Sequence, residues 1–358
     1  MANHDPEALR AFAGKVTGSI TGGLNCALTL LGDQLGLYRA LAEGGPLGSQ
    51  ALADATHLSE RWVREWLYQQ TCMGQVAYDE AADTFFLSSE AQAVLADENH
   101  PAYMGGMFQS VVAIYDTVDQ LPESFRTGLG QTYDDKGENC ACGIERMSRK
   151  FQQDHLVPEM LPLLDGLVKK LETGITVGDV GCGAATATIA MAKAFPNSKF
   201  IGYDISMHAL NRARNNINAA GVSNVRLHNP IDHPLPEDRS MDLITTFDVI
   251  HDSTHPAQLI KAIRASLADD GTWLCADIKG LPTFAENLKD NPISALAYSF
   301  SVLVCMSSGL STPDGAGLGT LGFHEQKARE MTAEAGFSRF SVIPFEGDML
   351  NAFYEIRP

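Results

Sequence analysis

Positive charge is what this chain has least of. Its 358 residues carry 26 Lys and Arg against 44 Asp and Glu, a formal charge of −18, and no basic run exceeds two residues. A body this acidic repels phosphate backbones and anionic headgroups, so nucleic acid and membrane surfaces are expected to be poor partners. Long apolar runs are missing too. The most apolar stretch, 296–306, is interrupted by Ser and Tyr and is too short to span a bilayer. The opening MANHDPEALRAF has neither the basic nor the apolar region of a secretory signal. Cysteine is sparse: seven, an odd number, scattered along the chain, which suits a reduced cytoplasmic protein better than a disulfide scaffold. Cys140-Ala-Cys142 has no second pair to complete a zinc set, so no metal is expected. There are no internal repeats, and 45% hydrophobic residues rule out a mainly disordered chain.

What is present falls into three textures. In 1–100, Leu28, Leu31, Leu35, Leu37 and Leu41 fall at helical intervals until Gly44-Gly45-Pro46 stops the pattern. A short helix is expected at 49–56. Ser59 then precedes a third helix, 60–71, with Trp62, Val63, Trp66 and Leu67 on one side. Two β-prone runs follow at 76–78 and 84–87. Three helices and a hairpin is the winged-helix order. Such a module can read DNA with its third helix, but here Arg61 and Arg64 stand beside Glu60 and Glu65. The tryptophans and leucines point to packing instead, and we expect a homodimer through this module. Residues 101–172 read as a helical connecting segment that would roof a pocket. Breaks are expected at 127–130 and in a polar loop through Gly143.

From 173 onward, short apolar strands (176–180, 199–203, 224–228, 241–247, 271–277) alternate with helices (184–195, 207–220, 256–267). That alternation predicts a parallel sheet covered on both faces. Residues 281–322 interrupt it with a helix and a Gly-rich loop, 307–322, a candidate lid. A helix at 325–335 and two strands, 340–345 and 350–356, close the chain as an antiparallel hairpin.

The chemistry concentrates after the strands. Gly178-Asp179-Val180-Gly181-Cys182-Gly183-Ala184-Ala185 makes a glycine turn into a helix, where backbone N–H groups can approach a ligand. A dinucleotide fingerprint requires a small last residue, and Thr186 is too large. Asp179 beside the turn would repel a pyrophosphate and suits a ligand with an amino group and a sulfonium. Asp204 ends the second strand, where a carboxylate accepts ribose hydroxyls or caps the next helix. Asp232 lies past the third strand, and Asp248 past the fourth. His251-Asp252 follows, placed for proton transfer or for helix capping.

Asp-x-Gly-x-Gly after the first strand, an acid after the second and the terminal hairpin resemble a class I S-adenosylmethionine-dependent methyltransferase. The leading module resembles the winged-helix dimerisation domain of small-molecule O-methyltransferases, through Leu35-Gly-Leu-x-x-x-Leu41, Ala51-Leu-Ala and Arg64-Glu-Trp66-Leu. His251-Asp252 resembles the segment where plant-type enzymes carry a catalytic histidine. The resemblance covers roughly 24–358. It implies an α/β fold: a Rossmann-like domain at 173–358, with an insertion at 281–322 and a mostly parallel seven-stranded sheet whose terminal strand is antiparallel. A mainly α winged-helix domain precedes it. It further implies S-adenosyl-L-methionine as cofactor, held by Asp179, Gly181, Gly183, Asp204, Asp232 and Asp248. His251 and Asp252 would be the catalytic residues, and the acceptor a small molecule methylated on oxygen or nitrogen. The chain departs from the family at Ala185, which replaces a third glycine, at Asn229-Pro230-Ile231-Asp232, which replaces a Gly-Asp pair, and in having no tryptophan near His251. A catalytically inactive cofactor-binding scaffold and a nicotinamide-dependent oxidoreductase are the competing readings.

Overall fold

The computed structural model describes residues 4–345, 347, 348 and 350–358, which form two compact units, Met1–Val112 and Ala113–Pro358.

The first unit opens with helix α1, Pro6–Gln34. The Asp5 carboxylate accepts the Glu7 N–H at 3.0 Å, and proline fits the first turn, where its missing N–H costs nothing. Gly36 at φ 72° ends the helical path, so the leucine pattern expected as one helix is two, with α2 at Leu37–Gly44. Helices α3 (Ser49–Thr56) and α4 (Glu60–Cys72), the hairpin β1 (Ala77–Asp79) with β2 (Thr84–Phe86), and α5 (Ser89–Leu95) complete the winged helix. Its core gathers Tyr38, Leu41, Leu52, Val63, Trp66 and Leu67. Trp66 donates its indole N–H to the Leu28 carbonyl at 2.9 Å, and a side chain at Gly32 would collide with its ring. Trp62, expected on the packed side of α4, is 79% exposed instead. At about 100° per residue, Val63, Trp66 and Leu67 define the buried arc and leave Trp62 at its edge.

The second unit is a seven-stranded sheet. Its strands are β3 (Thr176–Val180), β4 (Lys199–Tyr203), β5 (Val225–His228), β6 (Met241–Phe247), β7 (Leu267–Ile278), β8 (Arg339–Ile343) and β9 (Asn351–Arg357). The order is β5-β4-β3-β6-β7-β9-β8, with β9 antiparallel to both neighbours. Leu156, Leu171, Met191, Phe200 and Leu274 fill one core cluster; Ile244, Ile260, Ile263, Trp273 and Phe323 fill another. Chain order reverses at β3, where β4 lies on one side and β6 on the other. Ligands bind at the carboxyl ends of such a switch point.

One further expectation is corrected. The polar loop through Gly143 is a helix, Gly137–Phe151. Its face closes because buried Glu145 accepts from Arg149 at 2.7 Å, from Asn216 at 3.0 Å and from Arg212, tying it to helix Met207–Ala220. In the Gly-rich segment 307–322, Ala316 donates to the Thr254 carbonyl and the Leu310 carbonyl accepts from Gly130, each at 2.8 Å.

Candidate active site

Strand register brings the singled-out residues into one row. Val180 pairs with Tyr203 on β4 and with Thr246 on β6, and Phe247 pairs with Ala276 on β7. Gly181, Asp204, Asp248 and Asp277 therefore leave the sheet at the same edge. Gly181 has φ 71°, and Val249 occupies the space a side chain there would need. Its N–H donates to the Tyr203 carbonyl at 2.7 Å. The Asp204 carboxylate accepts the Gly183 and Ser206 N–H groups, each at 2.8 Å. Ser206, with its hydroxyl accepting from Ala209 at 3.1 Å, caps the following helix, so Asp204 keeps lone pairs for a ligand. Burial pushes its pKa up to about 6. Ala185 takes φ 62°, the left-handed conformation that a third glycine would adopt without strain.

Asp179 is 1% exposed and both its oxygens are occupied, by Thr188 Oγ1 at 2.5 Å and Thr245 Oγ1 at 2.7 Å. It braces the turn from behind. Asp232 lies exposed in the turn after β5. The same turn carries Ile231, 79% exposed, and Ile205 directly after Asp204 is 57% exposed. Two bare aliphatic side chains at the ends of adjacent strands offer faces to a planar ligand. An aliphatic residue directly after a strand-end acid was the signal available in the sequence.

The end of β6 holds the reactive groups. His251 Nδ1 lies 2.6 Å from Asp277 Oδ1, and both residues are buried. The adjacent Asp252, paired with His251 in the sequence reading, is not the residue that orients it. Asp277, at the end of β7, does so from 26 positions away. Asp277 Oδ1 also accepts the Ile278 N–H at 2.8 Å, while its Oδ2 is buried with no partner among the described residues. Against a carboxylate, Nδ1 carries the proton, so that once the ring is neutral the lone pair lies on Nε2. Burial alone would lower the pKa of His251, but Asp277, joined by the neighbouring Cys305 thiol, holds it well above the ordinary value.

Asp248 has a left-handed φ of 57° and accepts from Asn351 Nδ2 at 2.8 Å. Burial pushes Asp248 and Asp252 each up to about 7. Asp248, His251 and Asp277 offer ligand atoms within 4.8 Å of one another. Asp248, Asp252 and Asp277 thus lie around one histidine, with Asp204 close enough to Asp252 to be felt by it, an arrangement that a cationic ligand would relieve. Tyr133 is close enough to Asp204 and Asp252 to feel both charges. His324 caps helix Glu325–Glu334 through Nδ1.

Residues 171–336 match the family model of a methyltransferase domain, and residues 24–97 match the Rv2258c-like winged HTH domain. No curated protein matches the chain. Among solved structures, a candidate O-methyltransferase from Nostoc punctiforme is 18% identical, with 99% of this chain and 100% of that chain covered and a TM-score of 0.70. Human N-acetylserotonin methyltransferase, solved with S-adenosylmethionine, is 16% identical over 100% and 99% of the two chains, with a TM-score of 0.65. An O-methyltransferase from neocarzinostatin biosynthesis, solved with S-adenosylmethionine and 2-hydroxy-5-methyl naphthoic acid, is 13% identical over 93% and 95%, with a TM-score of 0.62. Likeness at these identities establishes a shared fold.

Proposed function

For a chain that carries a methyltransferase domain behind a winged helix-turn-helix domain, we propose S-adenosylmethionine-dependent methyl transfer to a hydroxyl or amine of a small molecule, with His251 as general base. The observation that carries this reading is the buried His251–Asp277 pair at the switch-point edge, one strand away from the Asp204–Gly183 turn. A scaffold that only held the cofactor would have no use for that pair.

The residues present fit the cofactor. Asp204 has acceptor capacity left for the ribose, Ile205 and Ile231 offer apolar faces for the adenine, and the acidic rim of Asp248, Asp252 and Asp277 suits a cation. Gly181 and Gly183 let the backbone approach, Asp179 keeps their turn in shape, and Asp232 stands at the adenine side. S-adenosylmethionine supplies an electrophilic methyl group on a sulfonium. Asp277 holds the His251 ring in one tautomer, so Nε2 accepts the acceptor's proton. A cation beside His251 opposes Asp277 and brings its pKa down toward the working range. Positioning the nucleophile supplies much of the rate in such a displacement.

The remaining assignments are proposals of the same kind. The division is 1–100 for dimerisation, 101–172 as connecting segment and 173–358 for catalysis, in a cytoplasmic homodimer. Leu9, Phe12, Val16, Ile20 and Leu24 are exposed along one stripe of α1, which supports a second copy as partner. Helix α4 suits DNA poorly, because Arg61 pairs with Glu65 at 2.5 Å and Arg64 with Glu60 at 3.2 Å. No helix among the described residues is long and apolar enough to cross a membrane. The test is calorimetric titration with S-adenosylhomocysteine, followed by turnover of phenol and amine acceptors by wild type and His251→Ala. Normal cofactor binding with lost turnover is expected. Turnover within a few-fold of wild type would remove the base.

A further inference from the structure

Lys136 is a buried cation that the reaction above does not use. It lies just before helix Gly137–Phe151 and is 3% exposed. Its ammonium donates to Thr117 Oγ1 at 3.2 Å and to Gln131 Oε1. Both acceptors are neutral and held in place. The Thr117 hydroxyl donates to the Ile114 carbonyl at 3.0 Å, which turns its lone pairs toward the lysine. The Gln131 amide nitrogen donates to Gln120 Oε1 at 3.1 Å, which aims its oxygen at Lys136. An ammonium has three N–H donors, and no third partner occurs among the described residues.

No carboxylate bonds to Lys136 among the described residues, although the Asp135 charge is close enough to be felt. Asp135, its neighbour in the chain, is exposed, and its Oδ2 accepts the Thr132 N–H at 2.8 Å and hydroxyl at 2.7 Å. Cys140, one helical turn on, stays a thiol because burial pushes its pKa up to about 11. Burial likewise keeps the Tyr133 phenol protonated. A buried cation with only neutral partners is costly unless an anion joins it.

The lysine also adjoins a cluster that reaches His251. Cys140 packs with Ala113, Ile114, Val304 and Cys305, with Tyr133 and Phe300 against the cluster. Cys305 is the thiol beside His251. The segment carrying Tyr133 and Lys136 is fixed at both ends: Gln131 N–H donates to Ser307 Oγ at 2.9 Å, and Asp134 accepts the Met207 N–H at 3.1 Å and the Ser206 hydroxyl. The acids around His251, the Cys140–Cys305 cluster and Lys136 are therefore neighbours in turn.

We propose that Lys136 is a specificity-determining residue that pairs with an anionic group of the methyl acceptor, so that the acceptor class is a hydroxylated aromatic carboxylic acid. The acceptor's carboxylate takes the third ammonium N–H, its ring lies along the Cys140–Cys305 cluster, and its hydroxyl faces His251. This rests on the methyltransferase reading for the hydroxyl end and on Lys136 alone for the acid end.

The test uses 3-hydroxybenzoate and 3-hydroxy-2-naphthoate against their carboxamides, titrated into the full-length protein with and without S-adenosylhomocysteine. Wild type is expected to bind at least one acid tenfold or more tighter than its amide. Lys136→Met should bring that ratio close to one, and Lys136→Arg should retain most of it. Circular dichroism and unchanged S-adenosylhomocysteine affinity show that the variants are folded. Equal affinity for acid and amide, an undiminished preference in Lys136→Met, or binding of neither acid while S-adenosylhomocysteine binds normally would each overturn the assignment. Absence of S-adenosylhomocysteine binding overturns the methyltransferase reading instead, and the cofactor-free titrations still read the anion site.

Discussion

Along α1, Leu9, Phe12, Val16, Ile20 and Leu24 stand in water, whereas at the carboxyl edge of the second unit's sheet His251 and Asp277 are taken out of it. Each arrangement is unfavourable for an isolated chain. Exposed apolar side chains at helical spacing forgo the burial that normally stabilises a long helix. Buried carboxylates forgo hydration, and their raised pKa values record that cost. Among the described residues no apolar surface covers the stripe on α1, and no cation is paired with Asp204, Asp248 or Asp252. We propose a second copy of the chain for the first and a cation for the second.

The largest expected effect breaks the second unit. His251→Ala should lower turnover by roughly 10²–10⁴-fold with cofactor affinity unchanged. Asp277→Asn should fall in the same range, because an amide no longer fixes the Nδ1–H tautomer. Asp252→Asn should do less than either, since Asp252 is not bonded to the ring. Initial rates with a working acceptor check all three, and an Asp252 effect larger than the Asp277 effect would move the orienting role to Asp252.

Asp204→Ala comes next. Loss of a charge-assisted acceptor should cost about 1.5–3 kcal/mol, roughly ten- to a hundredfold in S-adenosylhomocysteine affinity by calorimetry. Unchanged affinity would take Asp204 out of the site.

The smallest chemical effect, though a complete change of state, belongs to α1. Light scattering should return about twice the chain mass of 38.6 kDa for wild type and one chain mass for Phe12→Asp with Ile20→Asp. Thermal stability of the second unit should hardly move. A wild-type monomer would leave the stripe without a partner.

The two regions also differed in how much of them could be read from sequence. Strands β3, β4 and β6 and the Asp204 turn were legible because local rules fix them: β-prone runs, glycine at positive φ, and an acid at a strand end. The His251–Asp277 pair was not. It joins the ends of two strands, and only their register decides which acid meets the ring. Lys136 was hidden for a similar reason. Its surroundings are polar and glycine-containing, and the helix after it is anchored through contacts distant in sequence, where Glu145 is held by Arg212 and Asn216 as well as Arg149. In the first unit, the apolar spacing from Leu9 to Leu24 could have extended the helix backwards, but its solvent-facing stripe depends on what covers it.

The central claim is that the buried acids around His251 await a cation, and comparing S-adenosylmethionine with its neutral product tests it most directly. Asp204, Asp248 and Asp252 have pKa values raised above those of an unfolded chain, to about 6, 7 and 7. Without a ligand they hold protons that an unfolded chain would release, so their contribution to stability is complete at low pH and is lost as pH rises through 6 to 7. A bound cation expels those protons. Calorimetric affinities for S-adenosylmethionine and S-adenosylhomocysteine should be measured from pH 5.5 to 8. The account predicts that the sulfonium compound gains on the thioether as pH rises, by up to about tenfold per pH unit for each proton released, and levels off above pH 7. A constant ratio across that range, or binding of neither compound, would contradict it.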